Sequence, residues 1–166
     1  MTDDTRALKR ENSREEMDAI QHFFVRPVFQ SCTIGIPFCI FKILFGLTAF
    51  RMGDGAPLGL LGMAVMVWAV ADLLMNSGRS ALDLLHRPAP FEYCTIAQLG
   101  RMFGRPMIFL AFDTLLAFTI ICTMLWTGWI ATLSTAEAFL WYAATTMNLI
   151  SLSFVSLYNE IRHENM

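Results

Sequence analysis

Lys42, Asp72, Asp113 and Asn148 each lie inside a long apolar stretch of this 166-residue chain. Placing an ionisable side chain in hydrocarbon costs ~2.5–3.5 kcal/mol on insertion scales, so such residues usually face a bundle interior or a water-filled cavity. One lysine and two aspartates leave one formal negative charge, to be met by a proton, a water or a cation. The expected role is structural: a buried Lys–Asp pair that fixes helix register. Two alternatives stand beside it. One is a path for protons or ions, and the other is a site for a lipid, a pigment or a partner helix.

The faces that carry these residues can be read from helical spacing. Gly35, Cys39, Lys42, Gly46 and Ala49 fall on one stripe, and small residues there let a second helix approach closely. Ile34, Phe38, Phe41 and Phe45 fall on the other side, which the pattern assigns to lipid or a partner. Gly62, Val65, Ala69, Asp72 and Asn76 form a comparable stripe, and Ala144, Asn148 and Ser151 share a third face. At 1.5 Å per residue, Lys42 lies roughly 16 Å from the cytoplasmic boundary, Asn148 about 13 Å, Asp113 about 10 Å and Asp72 about 6 Å. Side chains tilt toward their own helix N-terminus. Lys42 and Asp113 therefore lean toward the cytoplasm and Asp72 toward the midplane. The expected pairing is Lys42 with Asp113 first and Asp72 second.

Four elements must position these groups. A helix needs roughly 20 mostly apolar residues to cross the hydrocarbon. Spans of about 31–50, 57–75, 106–128 and 136–157 meet that length. With 55% hydrophobic and 16% charged residues, the composition is far from the soluble norm. The fold class expected is all-α: a polytopic four-helix transmembrane bundle over 31–158, with a cytoplasmic N-terminal segment at 1–30, a cytoplasmic loop at 76–105 and a C-terminal tail at 159–166.

Arginine and lysine give the orientation. Arg6, Lys9, Arg10, Arg14 and Arg26 precede the first span; Arg79, Arg87, Arg101 and Arg105 lie in the 76–105 loop; Arg162 follows the fourth. Only Arg51 falls on the other side. Positive residues in short loops stay cytoplasmic, so both termini are expected in the cytoplasm of a bacterial-type inner membrane. The polar N-terminus does not read as a signal peptide, and the first span reads as a retained anchor.

Ser13-Arg14-Glu15-Glu16 reads as a capping box. It opens an amphipathic juxtamembrane helix with Met17, Ile20, Phe23 and Phe24 on one side, closed by Pro27. Phe23 and Phe24 are expected against the interface or a partner. In the loop, a helix is expected from Phe91 to Phe103 in the headgroup plane, with Arg101 and Arg105 toward lipid phosphates. Trp126, Trp129 and Trp141 suit the outer membrane–water boundary.

Several classes fall away. A net charge of −2 without a basic stripe excludes a nucleic-acid role. Cys32, Cys39, Cys94 and Cys122 form no CxxC pair and are expected to stay reduced. His22, His86 and His163 lie outside the spans, so no haem is held in the bundle. No HExxH, P-loop or GxSxG is present. The only cluster with acid–base potential, Asp83, His86, Arg87 and Glu92, reads as solvated loop charge. No enzyme, cofactor or metal site is expected. The expected function is a small accessory or assembly subunit of a membrane complex or homo-oligomer, with the bilayer and other membrane subunits as partners. The alternative is a proton- or ion-conducting component using Lys42, Asp72 and Asp113.

Overall fold

A computed structural model describes residues 27–53 and 56–164. The capping box, the juxtamembrane helix and its Phe23 and Phe24 lie outside the described residues. Among those described the chain is all-helical, with no strand. Helix α1 (Pro27–Gln30) passes through a π-helical turn (Ser31–Gly35) into α2 (Ile36–Met52). Then come α3 (Ala56–Leu84), α4 (Thr95–Met102), α5 (Pro106–Trp126), a 3₁₀ turn at Trp129–Thr132 and α6 (Thr135–Glu164).

The π turn has a local cause. Pro37 has no N–H for the carbonyl four residues back, and its ring crowds that carbonyl. Widening the preceding turn relieves the clash, and the Ile36 N–H donates to the Ser31 carbonyl five residues back.

Three helices are long and apolar enough to cross a membrane: Val28–Met52, Pro57–Leu84 and Pro106–Trp126. The second runs well past the expected end near residue 75, because nothing breaks it before Pro88 and Pro90. Helix α6 is 30 residues long but the least apolar of the long helices. Thr145, Thr146, Asn148, Ser151 and Ser153 dilute it.

The polarity is inverted relative to a soluble protein. Leu60, Val67 and Leu74 of α3, Met107 and Leu115 of α5, and Phe139 and Leu152 of α6 are all exposed. The charged residues Lys42, Asp72 and Asp113 are buried. Apolar faces of that extent are a surface for lipid rather than water.

Helix α2 is the hub on which α3, α5 and α6 pack. The α2–α3 contact is the closest, and glycine permits it. A Cβ on Gly46 would lie 2.7 Å from the Gly62 carbonyl oxygen, and one on Gly62 would lie 2.6 Å from the Phe50 nitrogen. The small stripe read on α2 therefore meets the stripe read on α3. On α5 the buried residues Asp113, Ala117, Ile120 and Met124 recur at three or four. Of these, Ala117 and Met124 join Phe38, Phe41 and Leu44 of α2 and Trp141 and Ala144 of α6 in one core.

That core corrects the lipid-facing assignment of the phenylalanine side of α2. Phe41 is 1% exposed and meets Trp141 edge-to-face at 4.8 Å between centroids. Phe38 is buried against Phe118, and Phe45 stacks on Trp129. Helix α2 is contacted by α3, α5 and α6, and its phenylalanine side turns toward α5 and α6 rather than lipid. Only Ile34 of the four phenylalanine-side positions is exposed. Trp141 is likewise a core residue, not a boundary anchor, whereas Trp126 at the end of α5 is 92% exposed.

Candidate functional site

The buried charges meet in one cluster. Lys42 Nζ donates to Asp72 Oδ2 at 2.7 Å and to Asp113 Oδ1 at 2.6 Å. It also lies 4.0 Å from the centroid of the Trp68 ring, a cation–π contact. All three ammonium directions are thus used. The carboxylates come from α3 and α5, so one lysine ties three helices together. The long lysine stem reconciles the different depths of the three backbones, since it carries the ammonium back toward its own N-terminus.

Asp72 is the better satisfied carboxylate. Its Oδ1 accepts from the Thr95 backbone N–H at 2.7 Å and from the Thr95 hydroxyl at 2.8 Å. Thr95 is the first residue of α4, so the carboxylate faces the free amides of a helix N-terminus, where negative charge is favoured. Sequence reading did not find this contact. Thr95 belongs to a polar stripe with Glu92, Gln98, Arg101 and Arg105, on a helix that reads as lying in the headgroup plane. In the structure Thr95 faces the bundle and reaches Asp72, while Gln98 Oε1 accepts locally from the Glu92 N–H at 2.9 Å.

The route to this contact lies in the loop. Residues after Leu84 fold back along α3. Arg79 Nη1 donates to the Phe91 carbonyl at 2.7 Å, stacks over Tyr93 at 3.9 Å and pairs with Glu92 at 3.8 Å. Phe91 packs beside Gly78, where a Cβ would sit 3.2 Å from the ring. Asp72 lies twelve residues before Leu84, so α4 starts about 18 Å back from the end of α3 at 1.5 Å per residue. Helix α4 therefore covers the cluster at that end of the bundle.

The helix is shorter than expected, Thr95–Met102 rather than Phe91–Phe103, because Cys94 takes the N-cap in extended backbone. Its sulfur accepts from the Ala97 N–H at 3.4 Å. Burial pushes the Cys94 thiol up to about 12, and the nearby Asp113 carboxylate pushes the same way.

Asn148 does not join the cluster, contrary to the expectation that grouped it there. Helix α6 packs on another part of α2, meeting it through Trp141 on Phe41 and through the Thr33 and Ser151 hydroxyls at 3.2 Å. Asn148 on that helix is half-buried. The amide beside the cluster is Asn76 of α3, whose Nδ2 donates to the Asp72 carbonyl at 3.1 Å. Its side chain fills the space a Cβ on Gly35 would need. Asn76 stood in the α3 stripe, and its spacing four residues from Asp72 was the available signal.

At the opposite end, Arg51 Nη2 pairs with Glu137 Oε1 at 2.8 Å, joining the end of α2 to the start of α6. Arg101 and Arg105 are exposed near the end of α4. Among the described residues no group of three or more His, Cys, Asp or Glu side chains is placed to hold a metal. No family model matches this chain, and comparison with curated proteins and with solved structures finds no match.

Proposed function

We propose that this chain is a four-span integral membrane protein that serves as a small assembly or accessory subunit of a membrane complex or homo-oligomer. Saturation of Lys42 carries the reading: two carboxylates and the Trp68 ring occupy its ammonium, and Thr95 of α4 covers Asp72. Such a closed network fixes the register of three helices. A conducting site needs groups left free to exchange partners with water or ions.

The proposal includes α6 as the fourth span, over about 136–157. Its support is the packing on α2, the Arg51–Glu137 link and the exposed Phe139, Leu149 and Leu152. The arginine distribution supports a topology with both termini and the 76–105 loop on the cytoplasmic side of a bacterial-type inner membrane.

A second reading, a proton- or ion-conducting component, is favoured by one observation. The cluster holds two carboxylates and one ammonium, an excess of one formal negative charge. Reconstitution separates the two. Proteoliposomes carrying the full chain should show no proton or cation flux above empty vesicles. Flux that disappears in Lys42→Met/Asp113→Asn while the protein stays folded would establish conduction and remove the accessory role. Reporter fusions at both termini and at Gly53 test the topology: a C-terminus outside the cytoplasm rules out four spans.

A further inference from the structure

Two arginines at the α4–α5 junction, Arg101 in the last turn of α4 and Arg105 just before α5, are not used by the cluster. Neither Arg101 nor Arg105 forms an ion pair among the described residues. Arg101 Nη1 donates to the Pro90 carbonyl at 2.7 Å, which orients the guanidinium and leaves most of its donors free. The backbone between them closes in a Schellman turn. The Arg105 N–H donates to the Gly100 carbonyl at 2.9 Å and the Gly104 N–H to the Arg101 carbonyl at 3.1 Å. Gly104 supplies the left-handed residue, φ +70°. The turn holds both arginines at one corner instead of along a helix.

That corner is apolar on its outer side. Leu99, Met102 and Phe103 are exposed, and the surface continues into exposed Met107 at the start of α5. Helix α4 packs inward through Ala97 and Gly100, the latter against Phe109, and leaves Leu99 and Met102 exposed. For a helix in water this orientation is wrong, but at a bilayer interface it places hydrocarbon-seeking side chains beside cationic ones.

We infer that the α4–α5 corner is a binding site for an anionic phospholipid. Arg101 and Arg105 engage its phosphate, and the acyl chains run along Met102, Phe103 and Met107. Charge complementarity and continuity with the lipid-facing surface of α5 argue for this occupant over an acidic protein. The inference rests on the membrane reading of the fold and is independent of the accessory role.

Native mass spectrometry of the full chain in mild detergent tests it, with phosphatidylglycerol or phosphatidylcholine titrated in. The wild type should retain phosphatidylglycerol in preference to phosphatidylcholine. At roughly 1 kcal/mol per basic residue near an anionic surface, Arg101→Gln and Arg105→Gln should each weaken that retention about fivefold, and the pair about thirtyfold. Phosphatidylcholine retention should not change. Arg87→Gln, in the same loop but outside the corner, should match the wild type and controls for net charge. Equal retention of the two lipids by the wild type overturns the site. So does undiminished phosphatidylglycerol retention by the double variant, or capture of an acidic protein at the corner with no lipid preference. Failure to retain any phospholipid would count against the membrane reading itself.

Discussion

Replacing Lys42 with Met removes the cation that two buried carboxylates share. The Asp72 and Asp113 oxygens lie 2.7 and 2.6 Å from Nζ. They are therefore no more than about 5 Å apart, and two unit charges at that separation repel by roughly 3 kcal/mol at an effective dielectric near 20. Breaking a buried pair by removing one partner gives a similar figure, about 3–5 kcal/mol. Lys42→Met should lower stability by that amount. Asp113→Asn should cost less, about 1–3 kcal/mol, because Lys42 keeps Asp72. Asp72→Asn should cost more than Asp113→Asn, since it also weakens the two Thr95 contacts. In Lys42→Met/Asp113→Asn only one carboxylate remains, so the double variant should be more stable than the sum of the single losses predicts. Reversible unfolding in mixed detergent micelles gives the four free energies of the cycle. Strict additivity, within the few tenths of a kcal/mol expected for independent sites, would refute the shared ion pair.

Three further outcomes follow from the packing. Gly46→Leu should disrupt the α2–α3 contact by more than about 3 kcal/mol, since even a Cβ meets the Gly62 carbonyl and Met66 at 2.7 Å; thermal unfolding in detergent would read the loss. Phe41→Ala should cost about 3–5 kcal/mol as a core truncation, where a lipid-facing residue would cost little. Cys94, with its thiol pushed up to about 12, should resist maleimide at pH 8 in a chain retaining only that cysteine, and react after denaturation. The folded chain holds this proton more tightly than the unfolded chain, so the contribution to stability is complete below the ordinary value of 9.0 and is lost as pH rises from there to about 12.

Much of the bundle was legible because period and composition are strong signals in a membrane. The small stripe of α2 predicted the close approach of another helix, and the structure seats the comparable Gly62–Asn76 stripe of α3 there. The charges of Lys42, Asp72 and Asp113 stood out against apolar neighbours. Other features depend on tertiary placement. Phe41 and Phe45 look lipid-compatible in any local reading, and only the central position of α2 buries Phe41 and half-buries Phe45 against Trp129. Asn148 has the spacing of a core residue, but α6 meets α2 away from Lys42. The Thr95–Asp72 contact joins residues 23 apart through a loop that doubles back, which no helical period encodes. The π turn follows from Pro37, although a proline predicts disturbance without saying which form it takes.

The mass of the full chain in a mild, non-denaturing detergent tests the central claim most directly. An assembly or accessory subunit should run as a defined multiple of the single-chain mass or as a stoichiometric complex with another membrane protein, and Lys42→Met/Asp113→Asn should keep that state. A monodisperse species of single-chain mass that conducts protons or cations after reconstitution would contradict the account.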